Sequence, residues 1–190
     1  MTKAAEIPDL RPNPAILLGA GAALALVSAA FLAWPVAIAS TVLGTLMIAG
    51  ADVDARTYLL PNAVTFGATL VGIAAAPLLD PLDPWLAVAG ATARAVGCAM
   101  ALALLRSSYA RIRRQEGLGF GDVKLAAAVG AWLPLDVIPL CFALAAIAAL
   151  VSVVIAQLRG RAIERATRLP FGAFLCPSLW LVFYASALPG

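Results

Sequence analysis

Three acidic residues stand out because each lies directly beside a long apolar run: Asp52, Asp54 and Asp122. An ionisable group at membrane depth is costly, so it marks a candidate functional site. Two carboxylates held close together do not both ionise readily; the pKa of one rises, and the pair shares a proton. Such a pair can hydrolyse a peptide: the ionised member takes a proton from water, and the protonated member donates a hydrogen bond to the scissile carbonyl.

Three glycines precede Asp122 in the segment GLGFGDVK (117–124) and allow a substrate strand to approach closely. Spacing alone leaves two other interpretations open. In the first, Asp122 is the N-cap of a helix that begins at Val123. In the second, the other two aspartates are ordinary interfacial charges. A proton- or cation-coupled transporter that uses the same carboxylates is an alternative function.

The composition places these carboxylates in a membrane protein. Hydrophobic residues make up 63% of the 190 residues and charged residues 12%, with a mean hydropathy of +0.98. A soluble domain carries about 25% charged residues. These values exclude a water-soluble globular enzyme, a disordered chain and a nucleic-acid-binding domain. Histidine is absent and no Cys-x-x-Cys pair occurs, so we expect no metal ion and no cofactor.

The apolar runs predict an all-α, polytopic transmembrane helical bundle of about seven spans, some of them short. Pro134 and Pro139 fall inside the run 123–158 and predict a turn that divides it into two spans. The other predicted spans are 15–33, 36–51, 63–79, 85–105 and 171–188. The tryptophans are expected at the membrane interfaces.

We treat 1–190 as a single integral-membrane domain. Its predicted parts are the first two spans within 15–51, a loop at 52–62 that carries the first two aspartates, a cytoplasmic loop at 106–124, and a last span at 170–188.

Positive charge predicts the orientation of the chain. With the N-terminus inside, 12 of the 13 basic residues lie on the cytoplasmic side, and the outer turns carry aspartates without basic residues. The 12 are Lys3, Arg11, Arg56, Arg106, Arg111, Arg113, Arg114, Lys124, Arg159, Arg161, Arg165 and Arg168. The exception, Arg94, lies within the fourth span, where it either snorkels outward or pairs with an aspartate such as Asp52. Both aspartate sites then lie at the cytoplasmic boundary.

Three segments resemble motifs of the type IV prepilin peptidases, which are integral-membrane aspartic proteases of the Gly-x-Gly-Asp class. DARTYLLPN (54–62) is similar to the first motif, an aspartate seven residues before Pro-Asn. GFGDVK (119–124) is similar to the second. LPFGAFL (169–175) resembles the family's Pro-Phe-Gly-Pro-Phe signature, with Ala173 where proline is common.

The resemblance implies a role for each matched position. Asp54 and Asp122 are the implied catalytic pair, rather than Asp52. Supporting or substrate-binding roles are expected of Gly119, Gly121, Lys124, Pro61, Asn62, Asp52, Arg94, Pro170, Phe171 and Gly172. Lys124 either holds Asp122 ionised, contacts the substrate or anchors the chain at the interface.

The implied activity is removal of the short basic leader from a prepilin or pseudopilin substrate, on the cytoplasmic side of the inner membrane. The implied partners are that substrate and the lipid bilayer, with no nucleic acid, and the oligomeric state stays open. Larger members carry a domain with paired Cys-x-x-Cys motifs and also N-methylate the product. Only a few residues separate the first two spans here. We therefore expect a short, peptidase-only form, as found with Flp/Tad-type pilus systems.

Overall fold

The computed structural model describes residues 10–113, 119–159 and 170–188, and within these ranges it contains seven α-helices and no strand. The helices are α1 (Pro14–Phe31), α2 (Trp34–Thr57), α3 (Asn62–Leu79), α4 (Pro84–Arg113), α5 (Phe120–Trp132), α6 (Ile138–Leu158) and α7 (Phe171–Ser186). Five of them are long and apolar enough to cross a membrane, while α5 and α7 have only 13 and 16 residues. The prediction of an all-α polytopic bundle is confirmed.

Several positions used in the sequence analysis lie outside the described residues. They are Lys3, Arg114, Gly117, Arg161, Arg165 and Arg168, together with the side chain of Arg113.

Polar side chains and prolines set the helix ends. Asn13 caps α1 by accepting the N–H of Ala15 at 3.0 Å, and Asp83 caps α4 by accepting the N–H of Leu86 at 3.1 Å. A turn containing Pro134 separates α5 from α6, so the division of the run 123–158 into two helices is confirmed.

Helix α2 extends farther than its apolar run predicts. Instead of a loop, the segment carrying Asp52 and Asp54 forms the last turns of a helix that ends at Thr57. The helix continues because Arg56 pairs with Asp52 one turn earlier, at 2.7 Å, and the N–H of Tyr58 still donates to the Asp54 carbonyl at 2.9 Å. The predicted loop therefore shrinks to the residues between Thr57 and α3.

The predicted cytoplasmic loop 106–124 is also partly helical. Helix α4 continues to Arg113, and α5 begins at Phe120. At about 1.5 Å per residue, the 30 residues of α4 measure about 45 Å, which exceeds the apolar thickness of a bilayer.

Helix α5 lies at the centre of the bundle, packed against α3, α4 and α7, and nine of its 13 residues are buried. A Cβ on Gly130 would collide with the backbone of Arg94, so the backbones of α4 and α5 come into direct contact there.

Arg94 is half-buried in α4 and holds the C-terminal end of α5. Its Nε donates to the carbonyl oxygens of Gly130, at 3.2 Å, and Leu133, at 2.9 Å. Carbonyls at a helix C-terminus lack intrahelical partners, and the negative end of the helix dipole favours a cation. Arg94 therefore satisfies backbone groups that would otherwise be unpaired within the membrane.

Trp132, at the end of α5, packs in the core. It is only 4% exposed; its Nε1 donates to the Ala68 carbonyl at 2.8 Å, and its ring lies against Gly72 of α3. The prediction that this tryptophan anchors the chain at an interface is wrong, because its one polar group finds a partner inside the bundle.

A second polar link joins α1, α2 and α7. Ser28 and Ser40 share a hydrogen bond of 2.9 Å between their hydroxyl oxygens, and Trp180 Nε1 donates to Ser40 at 3.1 Å. These contacts join the first turns of α2 to the end of α1 and to the second half of α7.

Candidate active site

Asp54 lies in the last turns of α2, and it is only 4% exposed. Its Oδ2 accepts the N–H of Ala173 at 2.7 Å, across 119 residues of sequence. Ala173 belongs to the first turn of α7, where N–H groups lack intrahelical partners and the helix dipole is positive. The carboxylate of Asp54 is thus docked on the N-terminus of another helix.

Asp122 lies in the first turn of α5, and it is 8% exposed. Its Oδ2 accepts the N–H of Gly119 at 3.2 Å. Because the helix begins at Phe120, Gly119 is the N-cap residue and Asp122 the third residue of the helix. The alternative in which Asp122 is itself the N-cap is wrong, although its carboxylate does reach back to the N-terminus of its own helix.

The carboxylates of Asp54 and Asp122 lie within electrostatic range of each other. The fully buried thiol of Cys176, on α7, lies within range of both. Three helices therefore meet at one point: α2 brings the first carboxylate, α5 brings the second, and α7 packs against them.

The Pro-Phe-Gly segment shows how Asp54 is held. Pro170 precedes α7 and Phe171 begins it. A Cβ placed on Gly172 would lie 2.9 Å from Asp54 Oδ2, so a glycine is needed for the helix end to come this close to the carboxylate. The third motif thus supplies a backbone N–H donor for Asp54, a role that its residue types do not reveal.

Lys124 points towards the start of α3. Its Nζ donates to Asn62 Oδ1 at 2.7 Å and lies 4.9 Å from the ring centre of Phe120 and 5.5 Å from that of Phe66. Pro61 directly precedes α3 at this point. The hydrogen-bond partner of Lys124 is therefore an amide that begins a neighbouring helix, and the contact joins α3 to α5 beside the carboxylates.

Asp52 and Arg94 have partners elsewhere. Asp52 Oδ2 accepts the N–H of Asn13 at 2.8 Å and the guanidinium of Arg56 at 2.7 Å, so it joins α1 to α2. Arg94 bonds the opposite end of α5 from the one that carries Asp122. The predicted pairing of Arg94 with Asp52 is wrong, because each has closer partners.

The chemistry available at this site is that of two carboxylates. Among the residues that the structure describes, no three His, Cys, Asp or Glu side chains gather where they could hold a metal ion. Two buried carboxylates from different helices suit general acid–base work on a bond such as an amide, where one group accepts a proton and the other donates a hydrogen bond.

Residues 41–154 match the sequence profile of the type IV leader peptidase family. The chain is 32% identical over 146 residues to a prepilin leader peptidase/N-methyltransferase of Xanthomonas campestris, which covers 75% of this chain and 48% of that protein. It is 31% identical over 165 residues to the protein of the same name from Burkholderia pseudomallei, covering 85% and 51%. It is 39% identical over 88 residues to leader peptidase HopD of Escherichia coli, covering 46% and 57%.

The chain thus spans about half the length of the curated relatives it matches. No solved structure matches it.

Proposed function

The chain belongs to the type IV leader peptidase family, and on that premise we propose that it is an aspartic endopeptidase that removes the short basic leader from type IV prepilins or pseudopilins. One observation carries this proposal: two buried carboxylates, Asp54 and Asp122, come from separate helices and lie within electrostatic range of each other. Both fall within the residues that match the family.

In the proposed reaction, Asp54 and Asp122 share one proton. The ionised carboxylate takes a proton from water as its oxygen attacks the scissile carbonyl, and the protonated carboxyl donates a hydrogen bond to the carbonyl oxygen. The tetrahedral intermediate then collapses, the carbon–nitrogen bond breaks, and the new amine takes up a proton from the pair. The products are a carboxylate on the leader and a free amine on the mature segment. The proton belongs to the pair rather than to either residue.

We propose that the site lies at the cytoplasmic side of the inner membrane. Contacts among the described residues gather at one end of the bundle: Asp52 joins the start of α1 to the end of α2, Asp54 joins the end of α2 to the start of α7, and Lys124 joins the starts of α3 and α5. Two basic side chains, Arg56 and Lys124, lie among these contacts, and by the positive-inside rule they support an orientation with this end inside.

We further propose that this chain does not methylate its product. In this chain only two residues separate α1 from α2, and the sequence contains no Cys-x-x-Cys pair.

The experiment that tests the proposal is a digest of one candidate prepilin by the purified protein, with the products mapped by mass. We expect a single cut after the basic leader. Asp54→Asn and Asp122→Asn should each lower the cleavage rate by about 10³-fold, the scale of a lost general acid or base. Both variants should remain folded, because asparagine keeps an acceptor oxygen where the carboxylate accepts a backbone N–H.

Asp52→Asn is the matched control, since it changes a neighbouring carboxylate on the same helix. We expect this variant to retain cleavage, because Asp52 accepts hydrogen bonds from Asn13 and Arg56 and is not a member of the catalytic pair. Full cleavage by Asp54→Asn would refute the assignment of the pair. Proton flux through sealed vesicles without any leader cleavage would instead support the transporter alternative.

A further inference from the structure

The side chain of Leu60 fills a niche that three glycines line. A Cβ on Gly172 would lie 2.6 Å from Leu60 Cδ1. A Cβ on Gly121 would lie 3.1 Å from Leu60 Cβ, and one on Gly50 would lie 3.6 Å from Leu60 Cδ2. These glycines belong to α7, α5 and α2 and form what we call the glycine niche. A methyl group at Gly172 would force the end of the Leu60 side chain to shift, and one at Gly121 would press against its Cβ.

The glycine niche adjoins both carboxylates. Gly121 directly precedes Asp122 in the chain, and a Cβ on Gly172 would lie 2.9 Å from Asp54 Oδ2. While Leu60 occupies the niche, the two aspartates are only 4% and 8% exposed. A peptide bond therefore has no open route to them in this state.

Leu60 belongs to the short segment 58–61 between α2 and α3. Tyr58, at its start, has a positive φ of 56°, a left-handed conformation that is uncommon for a bulky residue and concentrates at functional sites. The side chains of Tyr58 and Leu59 are exposed, whereas Leu60 is half-buried against the core. Withdrawing Leu60 would therefore leave the packing of the two preceding side chains unchanged.

This inference rests on the proposed function: we propose that the Leu60 side chain is a gate to the two carboxylates. Its side chain closes the glycine niche in the free enzyme and leaves the niche when a prepilin binds, so that the substrate backbone reaches Asp54 and Asp122. Glycines suit this role because they leave the backbone of each helix open to a substrate strand once the leucine has moved. The withdrawn side chain then lies at the exposed surface of the segment 58–61, as the side chains of Tyr58 and Leu59 already do.

The test is the rate at which a water-soluble maleimide labels a thiol at the gate. Leu60→Cys is combined with Asp122→Asn, so that a prepilin binds without being cleaved, and the unmodified chain gives the background from the native cysteines. We expect saturating prepilin to raise the labelling rate about tenfold, as for a gate that passes from mostly closed to mostly open. Leu59→Cys in the same background is the control, and its labelling should not rise because that side chain is already exposed.

A second variant separates a gate from a structural contact. Leu60→Ala should lower KM about tenfold with kcat little changed, because a binding-competent state that is only partly populated weakens apparent affinity in proportion. Leu59→Ala should leave both constants unchanged. A lower kcat with an unchanged KM in Leu60→Ala would show that the leucine serves only to pack the site.

The outcomes distinguish the two proposals. If the unmodified enzyme cleaves the prepilin, and the prepilin binds the Leu60→Cys variant without changing its labelling rate, the gate is wrong and the proposed function stands. If the unmodified enzyme cleaves no prepilin, the proposed function fails, and the gate fails with it.

Discussion

Asp54 is positioned by a backbone N–H rather than by another side chain. The donor, Ala173, lies 119 residues away, and any residue except proline carries the same group. The sequence therefore indicated the two aspartates through their motifs and their place beside apolar runs, but it could not show which atoms hold them. Gly172 is the sequence feature that could have indicated this contact, because a glycine beside a helix start often marks a place where another group approaches the backbone closely.

Gly172→Ala tests this close approach. The added methyl group would lie 2.9 Å from Asp54 Oδ2 and 2.6 Å from Leu60 Cδ1, so both atoms or the start of α7 must move. We expect the cleavage rate to fall by about 10²-fold, the cost of misplacing a reacting group by about 1 Å. The free energy of unfolding should fall by about 1–3 kcal/mol, as for other overpacked sites. Both quantities are measured on the purified protein in detergent.

Gly67→Ala is the control for this variant. Gly67 lies inside α3, and a Cβ there would meet nothing within 4 Å. We expect unchanged cleavage and a gain in stability of about 0.5–1 kcal/mol, because alanine loses less backbone freedom on folding. Equal activity in the two alanine variants would contradict the role given to Gly172.

At the level of helices, most of the fold was predictable from apolar runs and prolines. The start of α3, the turn at Pro134 and the start of α7 fall within a residue or two of their predicted places. The end of α2 lies beyond its predicted place at residue 51. Its last turns are held by an ion pair between Asp52 and Arg56, and a hydropathy pattern does not reveal such a pair. Packing partners were also hidden: Arg94 was expected to meet a carboxylate, yet it bonds backbone carbonyls of another helix.

Arg94→Met tests whether this arginine fixes α5. The variant keeps much of the apolar stem but leaves the carbonyls of Gly130 and Leu133 without the donor that they have now. We expect the free energy of unfolding to fall by about 1–3 kcal/mol, the cost of an unsatisfied buried polar group. Cleavage should also slow, because α5 carries Asp122 at its other end. Unfolding by a denaturing detergent measures the first effect, and the prepilin digest measures the second.

Thr92→Val is the matched control on the same helix. Its hydroxyl donates to the Val88 carbonyl within α4, so its loss does not affect the contact with α5. An Arg94→Met protein as stable as Thr92→Val would show that the two hydrogen bonds do not hold α5 in place.

For the whole molecule, the proposed orientation places the two ends of the bundle in different compartments. Leu82, in the turn between α3 and α4, is exposed and should face the outside, whereas Leu59, beside the site, should face the cytoplasm. We expect a membrane-impermeant maleimide added to intact cells to label Leu82→Cys and to spare Leu59→Cys. The reagent reaches only the outer side of the inner membrane.

Permeabilised cells provide the control, since both thiols should then react. The opposite pattern in intact cells, with Leu59→Cys labelled and Leu82→Cys spared, would reverse the orientation and place the carboxylates on the outer side.

Helix α5 is too short to cross a bilayer alone. Its 13 residues measure about 20 Å, against an apolar thickness of about 30 Å. In the proposed orientation the turn at Pro134 lies at the outer surface, and the shortfall of about 10 Å then falls at the end of α5 that bears Asp122. Water for hydrolysis then has to reach Asp122 below the level of the lipid headgroups. The longer helices around α5 would enclose the depression through which it passes.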